Sequence, residues 1–197
     1  MKSVCVFCGS SSGEHRAYRT VAETLGREIA QRKLTLVYGG GDVGLMRIIA
    51  DAALAASGEV IGFIPQALMK KEIAHKGLTE LHVLGSMHER KAAMEARADG
   101  FIALPGGFGT LDEFCEILTW AQLGIHRKPV GLLDVNGFFE KLLAFFNDAT
   151  ADGFIRPTHR ELILEDTDPA HLLERMLAWK PTIVPKWTEV PSATSVP

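Results

Sequence analysis

At 197 residues, the chain fits one large domain with a substantial core, and a chain of that size needs no disulfide or metal staple. Hydrophobic residues make up 47% of it, which argues against intrinsic disorder, and the formal charge of −3 leaves no basic footprint for a nucleic-acid partner. No run approaches the roughly 18 consecutive apolar residues of a membrane span.

Short apolar runs alternate with longer amphipathic ones. In chain order the pattern predicts a strand at Ser3–Phe7, a helix at His15–Gln31, a strand at Leu34–Tyr38, a helix at Val43–Ala56 and a strand at Val60–Ile64. A strand at Leu81–Leu84, a helix at Met87–Ala98, a strand at Phe101–Leu104 and a helix at Leu111–Leu123 follow. The series closes with a strand at Val130–Leu133, a helix at Phe138–Ala149, a weaker strand at Leu162–Leu164 and a helix at Ala170–Trp179. Such β-α alternation predicts an α/β, Rossmann-like, doubly wound and mostly parallel sheet of about seven strands, with helices on both faces. Runs of Val, Ile, Leu and Phe suit strands covered on both sides. Residues 1–180 are expected to form a single domain. The segment 181–197, with Pro181, Pro185, Pro191 and Pro197, is expected to be an extended tail. The stretch Pro65–Gly77 is irregular, long for a loop in a compact domain, and carries Lys70, Lys71 and Glu72.

Cys5 and Cys8 form a CVFC run, but Cys5 falls inside a buried strand pattern and no second CxxC exists. These are expected to be structural thiols. No His/Cys spacing suits a metal, and no cofactor is expected. The N-terminus carries no secretory pattern, so the expected location is cytoplasmic.

Parallel sheets bind ligands beyond the carboxyl ends of their strands. Four of those ends are rich in small or charged residues: Gly9 to Gly13, Gly39 to Gly44, Gly85 to Lys91, and Pro105 to Glu113. Gly39 to Gly44 matches G-x-G-x-x-G, yet the next strand ends in Ile64-Pro65 without the acid that a dinucleotide ribose requires. A smaller phosphate-bearing ligand, or simple tight packing of a helix, accounts for those glycines instead. In Pro105 to Thr110, three glycines would allow positive φ and a concave set of amides at a helix N-terminus, a fitting phosphate cradle. Thr110 and Glu113 also fit the capping box T-x-x-E, which would leave Glu113 a purely structural part. Ser86 and Glu89 form another such box, placing Arg90 and Lys91 at about the first helical turn. Two cations there oppose the helix dipole, a local cost that suggests they face an anionic ligand.

Four segments carry a family likeness: Cys8-Gly9-Ser10-Ser11, Tyr38 to Gly41 with Gly44-Leu45-Met46, the M-x-x-R-K-x-x-M run from Met87 to Met94, and PGGFGTLDE. With Thr119 to Gly124 added, the sequence resembles the Lonely Guy family of cytokinin-activating phosphoribohydrolases, often labelled lysine decarboxylase-like. Phe108 stands where tyrosine is common, and Asp112 where glutamate is common. The resemblance implies a homodimer that hydrolyses the N-glycosidic bond of N6-substituted adenosine monophosphates, a small-molecule nucleotide substrate. It implies Arg90 and Glu113 as catalytic residues. Implied substrate contacts are Glu72, Arg90, Lys91, Gly107, Phe108, Gly109, Thr110, Leu111, Asp112, Glu113 and Thr119. Glycosidic cleavage passes through an oxocarbenium-like state, which a carboxylate at Glu113 would stabilise while Arg90 holds the nucleotide. A non-catalytic nucleotide sensor or carrier would use the same cradle, and a helix pair at Trp120 and Leu123 would suit a dimer face.

Overall fold

A computed structural model describes residues 1–69 and 74–180; Lys70, Lys71, Glu72 and the 181–197 tail lie outside the described residues. The elements run β1 (Ser3–Phe7), α1 (Arg16–Gln31), β2 (Thr35–Tyr38), α2 (Gly44–Ala55), β3 (Val60–Pro65), β4 (Glu80–Leu84) and α3 (Met87–Arg97). They continue with β5 (Phe101–Ala103), α4 (Phe108–Gln122), β6 (Val130–Leu133), α5 (Glu140–Ala151), α6 (Pro157–Arg160), β7 (Ile163–Asp166) and α7 (Pro169–Ala178). All seven strands join one sheet in the order β4-β3-β2-β1-β5-β6-β7, and every pairing is parallel.

The two-residue period of a strand sends alternate side chains to opposite faces. Val4, Val6, Leu36 and Tyr38 accordingly pack with α1, α2 and α7 on one face. Cys5, Phe7, Val37 and Phe101 pack with Met94 of α3, Phe114 of α4 and Phe146 of α5 on the other. Both faces of the central strands are covered, so β1 is apolar from Val4 to Phe7 and all five of its residues, Ser3 included, are buried. Each fully buried Val, Ile, Leu or Phe adds about 1.5–3 kcal/mol.

Strand β1 lies at the centre, with β2 on one side and β5 on the other. The chain winds outward from β1 through β2, β3 and β4, then crosses back and winds the other way. Such a reversal opens a crevice at the strand ends, which here lies between β1 and β5.

Two expectations fail. Strand β4 is not covered on both faces: it is the sheet edge, and Leu81 and Val83 are exposed. Helix α4 starts at Phe108 rather than Leu111, because Gly107 supplies the extended N-cap residue (φ −97°, ψ −151°). The short α6, four residues led by a proline, has too few turns to leave a periodic signal.

Candidate active site

The crevice is walled by two small-residue loops. Gly9 to Gly13 leave β1 and Pro105 to Gly107 leave β5, and they are tied by Gly9 N–H donating to the Pro105 carbonyl at 3.1 Å. Together with Tyr18 and Phe138 they enclose about 270 Å³. Ser10, Ser11 and Ser12 therefore line the cradle, at one of the four strand ends whose small residues mark a ligand site in the sequence.

Helix α4 opens into this region. Its first intrahelical bond is Leu111 N–H to the Gly107 carbonyl, so the amides of Phe108, Gly109 and Thr110 belong to the unsatisfied first turn. None of Gly106, Gly107 or Gly109 has positive φ, contrary to expectation. They are small for reasons of space. A Cβ on Gly106 would strike the Thr110 side chain and crowd Gly9 N. Around Gly107 and Gly109, the adjoining chain aside, no atom of the described residues lies within 4 Å of where a Cβ would be, so neither backbone strain nor packing among the described residues accounts for glycine there. Unpaired amides at a helix N-terminus, with no side chain crowding them, suit an anion. Thr110, in contrast, is buried, with its hydroxyl turned toward Gly106.

The capping alternative for Glu113 is overturned. With Gly107 as N-cap, Thr110 is the third helical residue and Glu113 the sixth, beyond the reach of any cap. Glu113 is buried instead, at 8% exposure, beside Arg90 at 6%. Arg90 Nη2 lies 3.3 Å from Glu113 Oε1, and Nη1 donates to Met87 Sδ at 3.8 Å. Arg90 Nε is buried without a hydrogen-bond partner among the described residues. Burying a charged pair is costly unless its remaining donors are satisfied, so an orphaned guanidinium N–H marks a place where a ligand completes the set. Burial pushes the Cys8 thiol up, the Glu113 charge pushes it further and Arg90 opposes. Both Cys5 and Cys8 are buried free thiols, as expected.

Arg90 reaches this position because residue 39 has no side chain. A Cβ on Gly39 would sit 3.1 Å from Met46 Sδ and 3.3 Å from Arg90 Cζ, and would overlap Nη2. The G-x-G-x-x-G match therefore marks a slot for the guanidinium. Its last glycine, Gly44 (φ +56°), lets α2 begin against the Ser10 carbonyl. The helix carrying Arg90 keeps half of the expected box: Ser86 Oγ accepts from Glu89 N–H at 3.1 Å, while the Glu89 carboxylate accepts from Gly85 N–H, one residue before the cap, at 2.9 Å.

The other implied contacts divide. Phe108 is 94% exposed beside the cradle. Leu111 packs into the core, away from the crevice. Lys91 turns from the anion side and binds Asp112 at 3.1 Å and Glu116 at 3.0 Å. Thr119 donates to the Cys115 carbonyl and lines a separate cavity of about 150 Å³ with Cys115, Gln122 and His159. It lies roughly 16 Å along α4 from Phe108 at the usual helical rise. Glu72 is outside the described residues, but the segment after it returns over the β2 end, where His75 N–H donates to the Gly40 carbonyl and His75 Nε2 meets Asp51 at 2.9 Å. Among the described residues no cluster of His, Cys, Asp and Glu could hold a metal ion.

Fold and site define an open parallel α/β protein that offers a free helix terminus to a small anion beside a buried Arg–Glu pair. The sequence matches the family described as "Possible lysine decarboxylase" over residues 46–176. It is 53% identical over 180 residues to "Probable cytokinin riboside 5'-monophosphate phosphoribohydrolase LOGL9" of Oryza sativa subsp. japonica, spanning 91% of this chain and 79% of that protein. Cytokinin riboside 5'-monophosphate phosphoribohydrolase LOG7 of Arabidopsis thaliana is 46% identical over 201 residues, spanning 100% of this chain and 93% of that one. The chain belongs to this Lonely Guy family. Among solved structures, the molybdenum cofactor carrier protein of Chlamydomonas reinhardtii superposes with a TM-score of 0.69 at 23% identity, covering 90% of this chain and 98% of that one, a likeness of fold.

Proposed function

We propose that the protein hydrolyses the N-glycosidic bond of N6-substituted adenosine 5′-monophosphates, such as cytokinin riboside monophosphates, to the free base and ribose 5-phosphate. The observation that carries this reading is the buried Arg90–Glu113 pair set one to two helical turns behind the α4 terminus. Glu113 lies roughly 7.5 Å along the helix from Phe108, about the span of a ribose 5-phosphate. With the phosphate on the amides of Phe108 to Thr110, the anomeric carbon falls at Glu113 and the base extends past Arg90. Leu81, packed over Gly40, and Met87, in contact with Arg90, give that end an apolar character suited to an N6 alkyl group.

In the reaction, the bond from the anomeric carbon to the base nitrogen breaks and its electron pair leaves with the base. Glu113 stabilises the cationic sugar and takes a proton from the attacking water, whose hydroxyl joins the anomeric carbon. The departing base acquires one proton, which balances the addition of water. Arg90 binds the nucleotide and offsets charge on the leaving group; its high pKa unsuits it as a proton donor. Decarboxylation finds no support at Lys91. Burial alone would lower the pKa of that ammonium, but its hydrogen bonds to Glu116 and Asp112 outweigh burial and raise it, the opposite of a lysine activated for Schiff-base chemistry.

The 1–180 unit acts as one catalytic domain in the cytoplasm, and no helix among the described residues is long and apolar enough to cross a membrane. The protein works as a homodimer. Thr119 lines a cavity apart from its own cradle, so it serves the partner's site; Leu123, exposed near the end of the same helix, joins the contact.

The test is direct: incubate the protein with AMP and with isopentenyl-AMP, and quantify free base and ribose 5-phosphate. Release by the wild type, its near-abolition in Glu113→Gln, and nucleotide binding preserved by calorimetry in a folded variant are expected. Nucleotide binding without release by the wild type would make the protein a sensor or carrier.

A further inference from the structure

Beside the α4 cradle lies a compartment that the hydrolysis does not use. Its floor is the pair of loops from β1 and β5, and its walls are Tyr18 of α1, Leu45 of α2 and Phe138, which follows β6. Only Gly107, at the edge of the cradle, belongs to both; Arg90, Met87, Leu81 and Glu113 lie outside its lining. We propose that this compartment is a second binding site, for a neutral purine base such as the one the reaction releases, and that it fills while the nucleotide site is occupied. The source of the base rests on the hydrolase reading; the compartment itself does not.

The chemistry of the walls selects the ligand. Among the described residues that line it, none is an acid, a lysine, an arginine or a histidine, so an ion entering would lose water without a counter-charge. A neutral ligand escapes that cost. Tyr18 and Phe138 stand edge to face, with centroids 5.7 Å and planes 79° apart. They form a corner in which a flat ring stacks on one and meets the edge of the other. Ser11 Oγ accepts from Gly13 N–H at 3.3 Å and Ser12 Oγ from Arg19 Nη2 at 2.6 Å, so each keeps its own O–H for a ring nitrogen. The volume of about 270 Å³ falls just below the roughly 300–1,000 Å³ of sites for drug-sized molecules, room for one bicyclic base and not for a whole nucleotide.

The fold fixes both rings. Phe138 is held although 42% exposed. Asn136 and Gly137, directly before it, both take the left-handed conformation, with φ +55° and +69°. Phe139, next in the chain, is buried; its N–H donates to Asp134 Oδ1 at 2.7 Å and its ring meets Phe138 edge-on at 4.9 Å. His15 braces Tyr18 in the same way at 5.7 Å. Left-handed backbone outside glycine is uncommon and clusters where ligands are held. A half-exposed phenyl adds little to the core, so the turn that fixes it serves the crevice.

Calorimetry on Glu113→Gln saturated with isopentenyl-AMP, its nucleotide site full, reads the second site directly, with N6-isopentenyladenine and adenine as probes. Both bases should bind, within about tenfold of each other, because the ring is what is recognised. Tyr18→Ala and Phe138→Ser, each added to that background, should weaken base binding on the order of 10- to 100-fold, the worth of stacking a base on an aromatic ring. A crystal of the complex should place the base against both rings. Loss of base binding when nucleotide saturates the protein, or affinity unchanged in both ring variants, would overturn the proposal. So would adenine binding more than about 100-fold weaker than isopentenyladenine, since the alkyl chain would then be what binds. If one ring variant does not fold, the other decides. Should no nucleotide bind at all, the hydrolase reading fails by itself. Titration of base into the wild type and the ring variants then judges the compartment alone: binding weakened in the variants supports it, and no binding refutes it.

Discussion

Gly39→Ala separates function from folding at this site. The backbone at Gly39 is not in the left-handed region, so alanine introduces no strain of its own. The new methyl would stand 3.1 Å from Met46 Sδ and 3.3 Å from Arg90 Cζ, and would overlap Nη2, where comfortable contacts need about 3.5–4.0 Å. The thioether flexes, so the guanidinium is what must leave, by roughly 1 Å or more. Overpacking relieved by a flexible side chain costs about 1 kcal/mol, which in a chain of this size lowers the melting temperature by about 2–4 °C. The displacement removes Arg90 from Glu113 and should lower kcat on the order of 100-fold, roughly 2.7 kcal/mol of transition-state stabilisation. Base release from isopentenyl-AMP and a thermal melt, run on the same preparation, read both quantities. A kcat within about threefold of wild type, with Arg90 still beside Glu113 in a crystal, would refute the argument that residue 39 is glycine to seat the guanidinium.

Gly109→Ala should dissociate the two properties in the opposite sense: alanine favours the helix by up to about 1 kcal/mol and meets no packed neighbour among the described residues, so the variant should melt no lower, while KM for the nucleotide rises about tenfold or more. Unchanged KM would remove the cradle from the binding site. For the dimer, Glu113→Gln chains mixed with an inactive Thr119→Trp variant should regain activity, because one of the two sites in each mixed dimer then has both native residues; no recovery would place Thr119 in its own subunit's site or in neither. Ser86→Ala removes the α3 cap and should cost about 1 kcal/mol in urea unfolding, and a loss within error would mean that Glu89 alone suffices. Burial lowers the pKa of His126 below its ordinary 6.5, its Nε2 donating to the Ile117 carbonyl while Nδ1 accepts from Lys128 N–H. The unfolded chain therefore takes up this proton first, so the contribution is fully present above pH 6.5 and is lost as pH falls through the lower, folded value. Urea midpoints should drop more steeply below that pH in wild type than in His126→Gln, and parallel profiles would contradict the assignment.

Much of this molecule is legible in its primary structure. The inner strands and the six longer helices follow from hydrophobic period, because a strand buried on both faces must be apolar throughout and a helix packed on a sheet must be apolar along one stripe. The four strand ends that form the site were visible as small or charged residues placed where parallel sheets bind ligands. Other features depend on which distant segments meet. The edge exposure of β4 follows from strand order, to which a local pattern is blind. Gly39 acts on Arg90 across 51 positions of chain, and no spacing rule connects them. PGGFGTLDE supports two readings of Glu113 as a string, cap or reacting group; the start of α4 at Phe108 removes the first, since it moves Glu113 beyond capping reach and into the interior beside Arg90. The adjacent cations Arg90 and Lys91 look equivalent in sequence, yet helical geometry turns them about 100° apart, one toward an orphaned buried site and the other into two carboxylates. Sequence alone determined the layers, the strand ends and the residue types at them. Only the tertiary structure decided which charges pair, because pairing is set by distances between crossovers that chain order does not encode.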